Sequence, residues 1–317
     1  MKTRRTKLAL IGTGMVGAAF AYALTLKRLV NELVLVDLDQ ARAEGEAMDL
    51  RHGLPLIGPM EITAGGYEEC AGADIVVITA GANQKPGQTR LDLLKINVKI
   101  VNDIAEKILK LGGEPIIIVA SNPVDVLTLD LLKKTGLPSN KIIGSGTVLD
   151  SSRFRQMLAE KLDVDVRSVH AHIIGEHGDS ELAVWSQANV SCVPLERFFA
   201  QRKVPFTPGI REDILNKVRR AAYEVIDRKG ATSNAIGVAL CRIVEAIIKD
   251  EKSVLTVSTS VQGLHDLPDV CLAMPCVIGE NGVEAVLETL LDREEFRTLH
   301  ESANVLLSHA RDLGLVD

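Results

Sequence analysis

The stretch KLALIGTGMVGAAFAYAL, residues 7–24, decides the fold. A short apolar run, Lys7–Gly12, ends on a glycine, and from Met15 to Leu26 the composition turns helical. Between them Gly12, Gly14 and Gly17 form GxGxxG. That pattern is weak evidence alone, but here it follows a strand and opens a helix, which is the context it requires. The first glycine permits a tight turn, the second lets backbone approach a pyrophosphate, and the third allows close helix–strand packing. The phosphates then sit at the helix N-terminus, where unspent amides and the helix dipole favour anions. Asp37 ends the next strand-like run, Glu32–Asp37, twenty residues after Gly17. A carboxylate there accepts both ribose hydroxyls and repels a 2′-phosphate, which favours NAD over NADP. Gly12, Met15, Val16, Gly17 and Asp37 are therefore the candidate cofactor contacts. The alternative, a structural glycine turn beside a surface aspartate, needs the same four features in the same order by coincidence.

The pattern continues outward. Ala73–Thr79 (ADIVVIT) and Pro115–Ala120 (PIIIVA) are continuous β-branched runs, with a helical stretch, Asn97–Leu111, between them. Runs apolar on both faces suit a parallel sheet covered by helices. The order implies an α/β fold: an N-terminal doubly wound Rossmann domain over residues 1–145. Beyond it the texture changes. Asp150–Leu162 and Thr207–Arg228 read as helices, and Ser253–Ser260 and Val270–Ile278 as partly alternating strands. Asp292–Leu313 places Phe296, Leu299, Ala303, Leu306, Ala310 and Leu313 on one helical face. Residues 146–317 thus read as a second, α+β domain for substrate and catalysis.

Composition narrows the class. The 317 residues suit two domains, and 46% hydrophobic with 25% charged residues is ordinary globular composition. Aromatics supply 3%, so aliphatic residues must build the core. A net charge of −6 argues against nucleic acid as a partner. Cys70, Cys192, Cys241, Cys271 and Cys276 show neither CxxC spacing nor a disulfide framework, which points to reduced thiols in the cytoplasm. The N-terminus runs from basic to apolar as a signal peptide does, but the glycine pattern explains it better, and no apolar run is long enough to span a bilayer.

A nucleotide fold does not name a reaction. IIGEHGDSE, residues 173–181, presents His177 after an apolar run broken by Gly175. By itself His177 is an acid/base group, a metal ligand or a turn histidine. Asp150 opens a helix and reads equally as an N-cap. Arg153 reads as a surface charge, and AGANQKPGQTRLDLL, residues 80–94, as a connector or a lid over a ligand. His170-x-His172 lacks the cysteine or carboxylate cluster that would complete a metal shell, so no metal is expected.

Taken together, GTGMVG with Asp37, the 80–94 loop, SNPVD at 121–125, GTVLDSSRFR at 146–155, IIGEHGDSE and KGAT at 229–232 resemble the lactate/malate dehydrogenase family, in its bacterial L-lactate dehydrogenase branch. The match spans nearly the whole chain. The resemblance implies NAD-dependent, reversible reduction of pyruvate to L-lactate. It makes His177 the proton donor and acceptor, Asp150 its orienting partner, Arg153 the clamp on the substrate carboxylate and Arg90 the group polarising the carbonyl. Asn122 lies by nicotinamide and substrate, and Thr232 and Ile236 line their pocket. Gln84 stands where malate dehydrogenases of the family carry arginine, which favours a monocarboxylate. Gly175 and Gly178 become turn residues that let His177 project. Glu176 and Asp179 receive no chemistry.

The resemblance also implies a homotetramer, and it matches Arg155 and His170 to positions that bind fructose 1,6-bisphosphate as an effector in many bacterial members. Both residues have plain readings, as a helix surface charge and a packed strand residue. Ser233-Asn234 departs from the family, which usually has an aromatic there, and this leaves substrate breadth open. Two other classes are weighed. An NAD-dependent glycosidase would need metal ligands, and Ser121 stands where a cysteine ligand is expected. A silent NAD-binding regulator would lack one of His177, Asp150, Arg153 and Arg90, and all four are present.

Overall fold

The computed structural model describes residues 6–82 and 90–316, and of Arg90 the backbone alone. Gln84 falls outside the described residues. The first half runs β1 (Lys7–Ile11), α1 (Met15–Lys27), β2 (Glu32–Val36), α2 (Gln40–Ile57), β3 (Glu61–Ala64), β4 (Ile75–Ile78), α3 (Arg90–Leu109), β5 (Ile116–Val119), α4 (Val124–Thr135) and β6 (Ile142–Gly144). The second continues with α5 (Val148–Leu162), β7 (Val169–His170), β8 (Ile173–Ile174), β9 (Leu182–Ala183), β10 (Asn189–Val190), β11 (Val193–Pro194), α6 (Leu195–Gln201) and α7 (Pro208–Lys229). It closes with α8 (Asn234–Ile248), β12 (Ser253–Ser260), β13 (Cys271–Gly279), β14 (Gly282–Val286) and α9 (Arg293–Asp312).

β1 to β6 pair in parallel in the order β3-β2-β1-β4-β5-β6, the doubly wound arrangement. Their apolar runs are buried because helices cover both faces: Leu8, Leu10, Leu33 and Leu35 join one core cluster, and Ala9, Ile11, Val34 and Val36 the other. The sequence reads as two halves, but the main sheet does not stop at the boundary. β12, β13 and β14 extend it antiparallel past β6 to nine strands. The joint is one pairing, Ser258 with Gly144. A Cβ on Gly144 would stand 2.5 Å from the Thr128 hydroxyl and 2.8 Å from Ser258 Cβ, so glycine lets the two strands meet.

Caps set several helix ends. Thr207 caps α7 with Pro208 in its first turn, and Gly230 ends it in the left-handed region. Asp292 and Glu295 form a capping box at α9. Of the predicted α9 face, Leu299, Ala303, Leu306 and Ala310 are buried, while Phe296 is 38% exposed and packs on His300. α3 begins seven residues before the predicted start, at Arg90. α2, β3, α4 and α8 are not distinguished by the sequence patterns above. β3 is four residues at a sheet edge, α2 carries two glycines and Pro55 and buries only Ala43 and Ala47, and residues 124–131 of α4 are all buried, so none of these three shows a clean period. β7 ends at His170, so His172 lies outside that strand.

Candidate active site

A doubly wound sheet takes a dinucleotide where its strand order reverses, and here the order reverses between β1 and β4. Gly12 leaves β1 with φ +102, and its amide donates to the Val36 carbonyl at 2.7 Å. A Cβ on Gly12 would stand 2.6 Å from the Ala80 amide nitrogen, and one on Gly17 would stand 2.0 Å from the Gly12 carbonyl oxygen. A Cβ on Gly14 would meet no protein atom within 4 Å, so this backbone faces outward, where a phosphate would approach. α1 begins without a side-chain cap, which leaves its first amides, Met15 and Val16 among them, without intrahelical partners. The Thr13 amide and hydroxyl donate to Asp37 Oδ2 at 2.6 and 3.0 Å. Burial raises the Asp37 carboxyl, but these donors, the Asp39 amide and Arg42 outweigh it and hold it below its usual range. An anion-accepting helix start and an ionised acid at the second strand fit NAD.

A cavity of about 470 Å³ is lined by Asn122, Asp150, Arg153, His177, Glu181 and Arg219 among others. Asn122 follows β5, joined to Pro123 by a cis peptide bond, and its carbonyl accepts from the Asn97 amide at 2.8 Å. Asp150 is the third residue of α5, not its N-cap, which is Thr147. Its carboxylate turns away from its own helix: Oδ2 meets His177 Nδ1 at 2.7 Å, and Oδ1 accepts from Arg153 at 2.8 Å. Asp150 is 3% exposed, and a charge so buried is tolerable because both oxygens have cationic partners. Burial opposes ionisation of Asp150, but His177 and Arg153 prevail and lower it. Burial likewise opposes charge on His177, but Asp150, with smaller help from Asp125 and Glu181, pushes it up to about 9. The imidazole is 28% exposed, so its Nε2 side can meet a small molecule in the cavity.

β8 ends at Ile174, and the chain turns at Gly175, with φ +92. Gly178 is not in that region. Three consecutive amides then anchor the turn: Gly175 donates to Ala273 of β13 at 2.9 Å, Glu176 to the Ser302 hydroxyl of α9 at 2.8 Å, and His177 to Asp125 Oδ2 of α4 at 2.7 Å. Glu176 accepts the Ser180 hydroxyl, and Asp179 accepts from Tyr223 at 3.3 Å, so both acids have structural partners.

Glu181 is the residue that sequence reasoning passed over. It is 2% exposed, its ligand-type atom lies within 4.8 Å of those of Asp150 and His177, and burial with the Asp150 charge pushes its carboxyl up to about 8. These three groups are the one potential metal shell among the described residues, but His177 Nδ1 and Asp150 Oδ2 are spent on each other. Asp125 was quoted within SNPVD without a role. Asp125 had a signal, since it interrupts the apolar run PVDVL, whereas Glu181 follows the polar GDS and only precedes LAVW.

The remaining candidates are spread out. Thr232 precedes α8 and Ile236 is in its first turn, both outside that cavity's lining, and Ile236 packs with the main core. A Cβ on neighbouring Gly237 would stand 2.8 Å from backbone atoms of Ala19 and Phe20, so α8 seats directly on α1. Arg155 is half-buried on α5, its Nε donating to the Ser151 carbonyl at 3.3 Å, and His170 is exposed on β7. Burial first, then the charges of Arg155 and His170, push His172 down to about 4. All five cysteines are free, and among the described residues no helix is long and apolar enough to cross a membrane.

Comparison with known proteins matches residues 6–144 to the lactate/malate dehydrogenase NAD binding domain and residues 147–313 to the alpha/beta C-terminal domain of the same family. The L-lactate dehydrogenase of Nitratidesulfovibrio vulgaris (strain Hildenborough) is 54% identical over 303 residues, 96% of this chain and 98% of that one. That of Acetivibrio thermocellus is 48% identical over 309 residues, 98% of each chain. A crystal structure of a lactate dehydrogenase from a Medee basin deep-sea metagenome library superposes with a TM-score of 0.94 at 44% identity, covering 98% of this chain and 99% of that one. The minor L-lactate dehydrogenase of Enterococcus mundtii gives 0.93 at 42%, covering 96% and 98%.

Proposed function

The chain belongs to the lactate/malate dehydrogenase family, and from that premise we propose how its residues perform the NAD-dependent interconversion of pyruvate and L-lactate. The observation that carries the scheme is the Asp150–His177 contact with Arg153 on the same carboxylate. The cofactor, when bound, supplies or accepts the hydride. His177 moves the proton. With Nδ1 held by Asp150, its Nε2 is left to protonate the pyruvate carbonyl oxygen and to recover that proton from lactate. Asp150 fixes the tautomer and stabilises the imidazolium, the orienting role of a triad's acid without a nucleophile. Arg153 spends one nitrogen on Asp150 and keeps the rest of its fork for the substrate carboxylate. Arg90 polarises the carbonyl where negative charge gathers, and Gln84 leaves a second substrate carboxylate without a partner. Asn122, Thr232 and Ile236 flank substrate and nicotinamide. Gly12, Met15, Val16, Gly17 and Asp37 seat the dinucleotide. The NAD-binding half is residues 1–145, and the substrate half is 146–317.

The decisive experiment follows NADH loss with pyruvate, oxaloacetate and 2-oxoisocaproate in parallel. Turnover with pyruvate foremost is expected, and none with any of them would overturn the scheme.

Arg155 and His170 are the proposed contacts for fructose 1,6-bisphosphate in a cytoplasmic homotetramer. The charges of Arg155 and His170, both acting on His172, support this reading. Arg155 and a protonated His170 repel one another without an anion and attract with one, while His172, pushed down to about 4, adds no charge. Rates at subsaturating pyruvate should rise with the effector. No response anywhere between about pH 5.5 and 7.5, the span over which a histidine changes charge, would dismiss it.

A further inference from the structure

We propose that Asp125 is a positioning residue for this reaction: from the first turn of α4 its carboxylate grips the backbone amide of His177 and fixes where the imidazole stands relative to Asn122. The inference rests on the reading of His177 as the acid/base group. Gly175, Glu176 and His177 form a short bridge whose successive amides are tied to β13, α9 and α4. The first two acceptors are a carbonyl and a hydroxyl. The third, at the reacting residue, is a carboxylate, and it is the one tie to the NAD-binding half. Asn122 and Asp125 lie three residues apart on one short stretch. One segment therefore presents an amide to the substrate cavity and holds the residue that must work beside it.

The placement carries a cost that packing alone would not select. Asp125 is 1% exposed in a helix whose residues 124–131 are all buried. An apolar residue of similar size would avoid the desolvation penalty. Burial pushes the Asp125 carboxyl up to about 6, against the Ser258 hydroxyl, the His177 amide and the His177 imidazole, so it is ionised at neutral pH. Glu176 from the turn and Cys271 from β13 also face it. His177 in turn faces Asp150 from α5, Glu181 ahead of β9 and Asp125, and the Asp125 charge adds to that of Asp150 in favouring imidazolium. Asp125 therefore acts on His177 twice, by holding its backbone and by its field.

The test compares Asp125→Asn and Asp125→Ala with the unaltered full-length enzyme, with His177→Gln alongside. NADH affinity is read by titration, kcat with saturating pyruvate, and the alkaline limb from kcat/KM against pH. Asp125→Ala should lose about tenfold to a hundredfold in kcat, the scale of a misplaced catalytic group, while NADH affinity stays within about twofold. Asp125→Asn keeps an oxygen for the same amide and should restore most of that kcat, but its alkaline limb should move down by about half a unit because the charge is gone. Wild-type kcat with an unmoved limb in Asp125→Ala would overturn the proposal. So would an Asp125→Asn enzyme as slow as Asp125→Ala with its limb in place. Should Asp125→Ala not fold, the limb of Asp125→Asn decides alone. If His177→Gln retains turnover, it is the acid/base reading that fails, and that result is independent of either Asp125 variant.

Discussion

His177 Nδ1 meets Asp150 Oδ2 at 2.7 Å, and this contact sets the direction of the enzyme's pH dependence. Burial lowers the imidazole and Asp150 more than compensates, so His177 carries its proton up to about pH 9. Pyruvate reduction consumes that proton. Its kcat/KM should hold from neutrality and fall about tenfold per unit above the limb, with lactate oxidation rising over the same range. Asp150→Asn removes the charge, should move the limb down and should lower kcat on the order of a hundredfold or more. A pH–rate profile in that variant matching the unaltered enzyme would contradict the pairing.

Arg153 is 14% exposed and pairs with Asp150, and the proposed scheme has it serve the substrate carboxylate as well. Lysine offers a point charge and no fork. Arg153→Lys should raise the pyruvate KM by about a hundredfold and leave NADH affinity near its original value. Steady-state kinetics with a parallel NADH titration checks this, and an unchanged KM would remove Arg153 from the substrate.

Asp37 is held ionised by Thr13 and Asp39, and the proposed cofactor site has it refuse a 2′-phosphate. Asp37→Ser should weaken NADH by roughly tenfold, the worth of a charge-assisted hydrogen bond, and bring NADPH into use. The two coenzymes compared at saturating pyruvate give the answer. Persistent rejection of NADPH would place the discrimination elsewhere.

Glu181 links the site to stability. Its carboxyl is pushed up from 4.5 to about 8, by burial and then by Asp150. The folded state keeps a proton that the unfolded chain releases, so stability falls as pH climbs between those values. Glutamine has no proton to lose. Relative to the unaltered enzyme, Glu181→Gln should gain Tm steadily from pH 4.5 to about 8. Thermal scans showing a constant difference across that range would rule this out.

Gln84 carries the prediction on specificity. Gln84→Arg supplies a partner for a second carboxylate and should raise kcat/KM for oxaloacetate relative to pyruvate by tenfold or more, on the order of one charge pair. Identical values for both substrates would count against the placement of that residue.

Much of this protein is written locally. The parallel strands are legible because runs such as ADIVVIT are short and continuous, and GTGMVG because its glycines serve contacts within one strand–turn–helix. His177, Asp150 and Arg153 stand out only as members of motifs, since nothing within a few residues of each says where it points. The chain alone therefore determined the nucleotide-binding half and the family. The tertiary structure decided that β12 continues the first sheet past Gly144, and that Asp150 turns from its helix toward a histidine 27 residues away. It also decided that Asp125 and Glu181 are buried acids around that histidine. Periodicity reports how a residue relates to its neighbours in sequence. Burial and the field of distant charges, which set how His177 holds its proton, exist only once the chain has closed around it.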